Sequence, residues 1–553
     1  MRASRRTLRQ AFAALAVAAL VVTACAPTED PEDELPDPDV EETDEDPDAA
    51  PGEEEDEEAD DAPGDVADDE TFTMAVGVDF DTFDPAGTTT TTVSNMVSYM
   101  VETLTRIDEE GEIHPNLATD WEISDDGLTY TLELRDDVVF HDGAEFNAEA
   151  VVFNLDRIRD PEVEVPIRAA FEGIESATAV DDYTVEIQLS EPFPPLISAL
   201  SFEVSSILSP DSMEAEGNSY TDYTRPVGTG PYTYGEYTTG ERFTVQRFDD
   251  YWGELPYYSD VEFQIVPEAA TRVSQLRAGD VDMIILPPIS DLPALEDDDG
   301  VEVLLAPGNR QIFMAINNNT IDDPRIRQAM NYAVDRQSII DNVLFGAADA
   351  VDAPMDPSLV GYCSVGEWEY DPDRARELLA EADAEGLEID FIAPTGRYIQ
   401  DFEVAQAVAG FLEEVGFSVP SVDTMDWPSY VGAITAEADD QEQDLHLLGW
   451  APSYMDSFQH MVIFQSNQQP PNGLATAFYD NSEVDSLLAE AASEPDEDAR
   501  QQLYCDASEI IWDEAPHIFM YSQRFPIAYS SDVTDVSYRP NESFYAVYAR
   551  PAN

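Results

Sequence analysis

Lysine does not occur in this 553-residue chain; all 25 basic residues are arginine, set against 118 aspartates and glutamates. A surface so short of positive charge is a poor partner for nucleic acid or anionic lipid. Without lysine there is also no G-x-x-x-x-G-K-S/T phosphate loop. Cysteine is nearly missing: Cys25, Cys363 and Cys505 are the three in the chain, and none has metal-ligating company at useful spacing. Neither a metal nor a cofactor is expected. No long apolar run follows Val22, which excludes a membrane-spanning helix from the rest of the chain. The five histidines (His114, His141, His446, His460, His517) are scattered, and no G-x-S-x-G or H-E-x-x-H pattern accompanies them. No catalytic constellation assembles, and an enzyme is not expected.

What is present is acid. Residues 26–70 hold 25 Asp or Glu and no base. Such a segment cannot bury enough surface to offset ordering, so an extended, disordered tether is expected. It contains no Asp-x-Asp-x-Asp-Gly calcium loop. Ahead of it, Arg2, Arg5, Arg6 and Arg9 precede an apolar run, Ala11 to Val22, that ends in Val22-Thr23-Ala24-Cys25. Residues 1–25 look like a bacterial lipoprotein signal in which Cys25 is acylated; the alternative is a secretory signal with an incidental cysteine. Ser4-Arg5-Arg6 matches a twin-arginine signal only loosely. The body, residues 71–553, carries 93 acids and 21 arginines, an excess of 72 negative charges. Self-repulsion of that size is tolerable when molar salt cuts the screening length to roughly 3 Å. A salt-adapted, exported protein of more than one domain follows. In an oxidising compartment Cys363 and Cys505 most simply form one disulfide; two separate buried thiols are the alternative.

The most patterned stretch is Glu102 to Arg159. Trp121 and Ile123 alternate with polar residues before Asp126-Gly127, and Leu128, Tyr130, Leu132 and Leu134 alternate after it. Period two on both sides of Asp-Gly predicts a hairpin with one buried face. His141-Asp142-Gly143 is a second turn. Asn147 then caps a helix whose Val151, Leu155 and Ile158 share one face.

The run E-x-L-T-R, D-x-x-G-x-I-x-P-x-L-A-x-x-W-x-x-S-D-D-G-L-T-Y-T-x-x-L-R-x-x-V-x-F-H-D-G, unbroken from Glu102 to Gly143, resembles the extracytoplasmic solute-binding proteins of oligopeptide and dipeptide ABC importers (solute-binding family 5). Where that family has an acid at the third helical position this chain has Ala150, so the capping box lacks its reciprocal carboxylate. The resemblance continues through Val227-Gly228-Thr229-Gly230-Pro231-Tyr232, Tyr251-Trp252-Gly253, the corner Gly279-Asp280-Val281-Asp282, and the helix Arg325 to Arg336. It makes His141-Asp142 structural.

The rest of the body reads as helices alternating with short strands. A first strand from Thr71 to Phe83 leads into a Thr-rich loop, Thr88 to Thr92; in the resembled family this first segment lies near the ligand cleft, and a merely solvated loop is the alternative. Asp323-Pro324 and Asp371-Pro372 start helices, and Phe402 to Val415 is a third, stopped by Gly416. Ala499, Leu503, Ala507 and Ile510 stripe the last, before a strand from Ile518 to Tyr521. The fold class expected is α/β, a two-lobed periplasmic-binding-protein-like fold of type II with an extra subdomain in the first lobe. Lobe I takes 71–312 plus 520–553, and lobe II takes 313–519.

For the site, Gly449-Trp450-Ala451-Pro452-Ser453-Tyr454-Met455-Asp456 resembles the family's G-W-x-x-D-Y-x-D/E-P cleft segment. There the acid before the tyrosine pairs with a peptide's α-ammonium; here that position is Ser453. A desolvated ammonium needs an opposite charge, so either Asp456 takes over or the ligand lacks a free α-amine. Trp450 and Tyr454 suit a cleft wall. Trp427 and Arg397 lie in stretches that approach the cleft in relatives, and Arg397 could hold a ligand carboxylate by a two-pronged bond; the alternatives are a core tryptophan and a surface arginine paired with one of the many acids. The resemblance implies a monomeric receptor, tethered to the outer face of the membrane through Cys25, that binds an oligopeptide or other small solute and delivers it to an ABC permease and its ATPase subunits. Alternatives are an oligosaccharide or metal-chelate receptor, or a sensory or adhesion receptor on the same fold.

Overall fold

A computed structural model describes residues 66–88, 90–165, 168–214, 218–221, 223–438 and 441–552. The signal at 1–25, Cys25 and the tether up to 65 lie outside the described residues. Among the described residues no helix is long and apolar enough to cross a membrane.

Three sheets organise the body. The first has seven strands in the order Val301–Ala306, Phe525–Ser530, Met283–Ile285, Thr71–Val76, Asp260–Ile265, Arg242–Arg247, Tyr232–Thr238. Thr71–Val76 runs parallel to both of its neighbours. The second has six, in the order Ala348–Ala350, His517–Gln523, Gln311–Ile316, Leu445–Trp450, Phe391–Pro394, Val422–Met425. The third, of four antiparallel strands, contains the predicted hairpin, Ala118–Ile123 against Thr129–Leu134, extended by Thr184–Leu189 and Ile174–Asp181. Tyr130, Leu132 and Leu134 are buried there with Val185, Ile187 and Leu189. Alternation put these on one face. Ile123 shares their parity, yet it is 44% exposed at the strand end.

The chain passes between the first two sheets twice, at 307–310 and at Arg524. The two crossings touch, the amide of Gln523 donating to the Arg310 carbonyl at 2.8 Å. Gln311 and Ile312, and likewise Tyr521 to Gln523, pair within the second sheet, so strand pairing shifts each crossing by a few residues from the sequence expectation.

The motif residues act as joints. Gly228 and Gly230 lie so close to the main chain of Tyr99 to Val101 that a Cβ would sit 2.3 Å from the Met100 oxygen and 2.7 Å from its carbonyl carbon, respectively. The Glu102 carboxylate accepts from Thr229 Oγ1 at 2.8 Å, Trp252 Nε1 at 2.9 Å and Tyr251 Oη at 3.0 Å. Three separated motifs thus meet on one acid, whose burial pushes its pKa up to about 7. Asn147 caps Ala148–Arg159 by accepting from the Ala150 amide.

Three local expectations are corrected. The first strand ends at Val76, not Phe83, and Thr91 opens the helix Thr91–Val97 rather than continuing a loop. The long helix Glu497–Glu514 buries Arg500, Tyr504, Ala507, Ser508 and Ile511, not Ala499 and Leu503. Its inward stripe is rotated because Arg500 turns in to meet an acid, a polar contact that hydrophobic periodicity does not register. Cys363 and Cys505 are disulfide-bonded, their Cα atoms 5.3 Å apart.

Candidate functional site

The second sheet ends on the interlobe cleft, and Leu445–Trp450 delivers Leu448, Gly449 and Trp450 to it. Gly449 has to be small: a Cβ there would lie 2.7 Å from the Tyr398 ring. That ring instead packs on the strand and donates its hydroxyl to the Gly449 carbonyl at 3.2 Å. Tyr398 belongs to a tight loop after Phe391–Pro394. The Asp401 carboxylate holds the loop by accepting from the main-chain amides of Gly396 at 3.2 Å, Arg397 at 2.8 Å and Tyr398 at 3.2 Å. Arg397 is thereby fixed at its backbone while its guanidinium reaches over Tyr398 and Trp427, 5.0 and 5.1 Å from the ring centroids. Trp427 opens the helix Trp427–Ile434, capped by Asp426, and stacks on Tyr430 at 5.8 Å.

Arg397, Tyr398, Trp427, Leu448, Gly449 and Trp450 wall a cavity of about 590 Å³. Thr88, Thr91, Ser94 and Asn95 face them from the first lobe, with Glu203 from the extra subdomain and Asn541 and Glu542 from the C-terminal segment. A second cavity of about 610 Å³ adjoins it and shares Thr91, Arg310, Arg397, Tyr398 and Glu542. Arg310, in the first crossing segment, makes a two-pronged pair with Glu542 at 2.7 and 2.8 Å. Glu542 holds a positive φ of 65°, as do Gln400 at 51° and Leu286 at 49° on the same cleft. Non-glycine residues in this region store strain, which concentrates at ligand clamps.

Of the residues singled out from sequence, Trp450, Ser453, Trp427 and Arg397 line the 590 Å³ cavity. Trp450 Nε1 donates to the Gln459 carbonyl at 3.1 Å, and the Ser453 amide to Gln459 Oε1 at 2.7 Å. Tyr454 and Asp456 are not in its wall. Tyr454 is buried in the apolar cluster of the extra subdomain. Asp456 is 1% exposed, pairs with Arg500 at 2.6 Å and caps the helix Ser457–Met461. The expectation that Asp456 stands in for the acid missing at 453 therefore fails, because its charge is already spent. Among the described residues, Arg397 has no carboxylate within ion-pairing distance, whereas thirteen other arginines do.

Sequence reasoning missed Arg310, Tyr398, Asp401, Glu203 and Glu542. Tyr398 and Asp401 flank Arg397 closely enough that the T-G-R-Y-I-Q-D run could have suggested them. The others come from distant segments. Asp108, Glu112 and His114 bring ligand-type atoms within 4.8 Å of one another. They sit on a surface turn outside the cleft, and His114 Nε2 already pairs with Asp108 at 2.5 Å.

The comparisons agree with this architecture. Residues 112–472 match the model for bacterial extracellular solute-binding proteins, family 5 Middle. The glutathione-binding protein GsiB of Escherichia coli (strain K12) is 31% identical over 484 residues, covering 85% of this chain and 92% of that one. HbpA2 from Haemophilus parasuis superposes with a TM-score of 0.78 at 26% identity, covering 87% of this chain and 100% of that one. DppA from Helicobacter pylori, an ABC transporter-associated periplasmic binding protein solved in complex with the peptide STSA, does so at 0.69 and 26%, covering 86% and 98%. The chain belongs to the bacterial extracellular solute-binding proteins of family 5.

Proposed function

We propose that this chain is the receptor of an ABC importer, and that it captures an oligopeptide or dipeptide between its lobes and delivers it to a membrane permease. One observation carries the peptide reading: a roomy interlobe cavity walled by Trp427, Tyr398 and Trp450 presents the Arg397 guanidinium without a carboxylate partner. Of the two arginines that line this cavity, Arg310 is paired with Glu542 and Arg397 is left without a carboxylate, and a ligand carboxylate fits it by a two-pronged hydrogen bond. Aromatic faces and a few placed polar groups suit peptide side chains of varied shape. The similar proteins named for glutathione and solved with a peptide point to the same ligand class.

The lobes, 66–306 with 525–552 and 311–523, pivot about 307–310 and Arg524. Ligand favours closure because only the closed form touches it from both sides. Contacts that already cross the cleft, Tyr454 within the subdomain's apolar cluster and Phe458 edge-on to Phe193 at 5.2 Å, belong to the closed arrangement. The chain hydrolyses nothing; the work comes from the permease's ATPase partners. Acylation of Cys25 and the acidic tether hold the body outside the cell membrane.

Native mass spectrometry of protein purified gently from its producing cells tests this reading. A ladder of peptide masses released on mild denaturation is the expected result. A single non-peptide mass would replace it with the alternative raised by Ser453, a receptor for a non-peptide solute.

A further inference from the structure

A peptide held by Arg397 through its carboxylate has an ammonium at its other end, and the second lobe offers that group nothing. Ser453 is neutral, and Asp456 is committed to Arg500 at 2.6 Å. Four charged residues line the 590 Å³ cavity: Arg310, Arg397, Glu203 and Glu542. Arg310 and Glu542 cancel one another through both carboxylate oxygens. Arg397 and Glu203 remain.

Glu203 is built as a fixed group. It opens a short 3-10 turn of the extra subdomain, Glu203–Ser205, whose Val204 is buried in the subdomain core. Ser205 Oγ donates to the Phe202 carbonyl at 2.8 Å and Ser206 Oγ to the Glu203 carbonyl at 2.7 Å. The backbone is thus clamped while the half-buried side chain faces the cavity and an adjoining chamber of about 400 Å³. Among the described residues no arginine or histidine nitrogen reaches ion-pairing distance of its carboxylate. Burial pushes its pKa up, offset only by its own amide and the charge of Arg539. A carboxylate so placed gains from an incoming cation.

We propose that Glu203 receives the primary ammonium of the ligand, and that with Arg397 opposite it selects zwitterionic peptides with a free N-terminus. This rests on the peptide reading above. The amino end points toward the extra subdomain and the carboxyl end toward the second lobe, so one ligand ties the two lobes by charge at both ends. The acid has moved from the cleft strand of the second lobe to the facing turn of the first, which is why position 453 can be serine.

The test incubates the full chain with a random tripeptide mixture and its N-acetylated counterpart at equal concentration. Retained peptides are quantified by mass spectrometry after gel filtration, for the wild type, Glu203→Gln and Glu203→Asp. Wild type should retain free-amine peptides roughly tenfold to a hundredfold over acetylated ones, the discrimination a charged hydrogen bond provides. Glu203→Gln should lose that preference at an unchanged melting temperature, and Glu203→Asp should recover part of it. A wild type that retains both kinds equally overturns the proposal, as does a folded Glu203→Gln that keeps the preference; in either case the peptide reading stands. A wild type that retains no peptide of either kind overturns the peptide reading itself.

Discussion

Asp456 and Arg500 close an ion pair at 2.6 Å in the interior of the second lobe, 1% and 5% exposed at their side chains. The pair joins the end of the cleft segment to the long helix Glu497–Glu514, so the residue that resembles a ligand anchor is part of the lobe's framework. Breaking a buried pair from one side strands the other charge, at a cost of about 3–5 kcal/mol. Asp456→Asn should therefore lower the melting temperature by several degrees while the folded fraction keeps its peptide affinity within about threefold. Calorimetry of melting and of binding on the same sample checks both. Lost binding at unchanged stability would return Asp456 to the site.

Arg397 behaves in the opposite way. It is exposed, its loop is held through Asp401 main-chain contacts, and its guanidinium bonds to nothing that Gln could not lose. Arg397→Gln should leave the melting temperature within about a degree and weaken binding of free-carboxylate peptides by about 1.5–3 kcal/mol. Peptide amides should bind wild type and variant alike, which titration calorimetry with each pair will show.

Stability should fall on mild acidification. His446, His460 and His517 are buried in the second lobe, the first and last flanking Ala315 on neighbouring strands. Burial holds His446 and His460 down to about 3 and lowers His517 as well. Their pKa values are lowered on folding, so below about pH 6.5 the unfolded chain binds protons that the folded one refuses. Each such histidine then costs ~1.4 kcal/mol per pH unit. Glu102, raised to about 7, acts in reverse, because its folded form takes up a proton before the unfolded one does. His141 in the first lobe is likewise held down to about 4 by burial, so four histidines outweigh one glutamate; the urea midpoint should drop between pH 6.5 and 5, and His460→Met should flatten that slope by about a third. A midpoint that rises over this range would contradict the assignment.

Salt should stabilise. With 72 uncompensated negative charges on residues 71–553, repulsion is long-ranged at 0.1 M, where the screening length is ~10 Å, and short-ranged at 1 M, where it is ~3 Å. The melting temperature should climb steeply in sodium chloride up to about molar concentration and then flatten. A nonionic osmolyte of equal osmolality should not reproduce the climb. A flat salt response would exclude charge repulsion as the dominant strain.

The elements with strong periodicity or caps were legible in the sequence: the hairpin around Asp126-Gly127, the helices opened by Asn147, Asp323 and Asp371, and the chain's two lobes. What escaped was set by tertiary contact. The stripe of Glu497–Glu514 could not be phased from hydrophobicity, because a buried Arg500 and Tyr504 occupy it. Tyr454 and Asp456 sit in a cleft-like motif yet point into the interior. Arg310, Glu203 and Glu542 come from segments far apart in sequence, and only folding brings their charges to one cavity.

Small-angle scattering on the full chain, with and without saturating peptide recovered from the native protein, tests capture by closure most directly. The radius of gyration should decrease once calorimetry shows the site filled, as the lobes turn about 307–310 and Arg524. Unchanged dimensions with ligand demonstrably bound would contradict a receptor that works by closing.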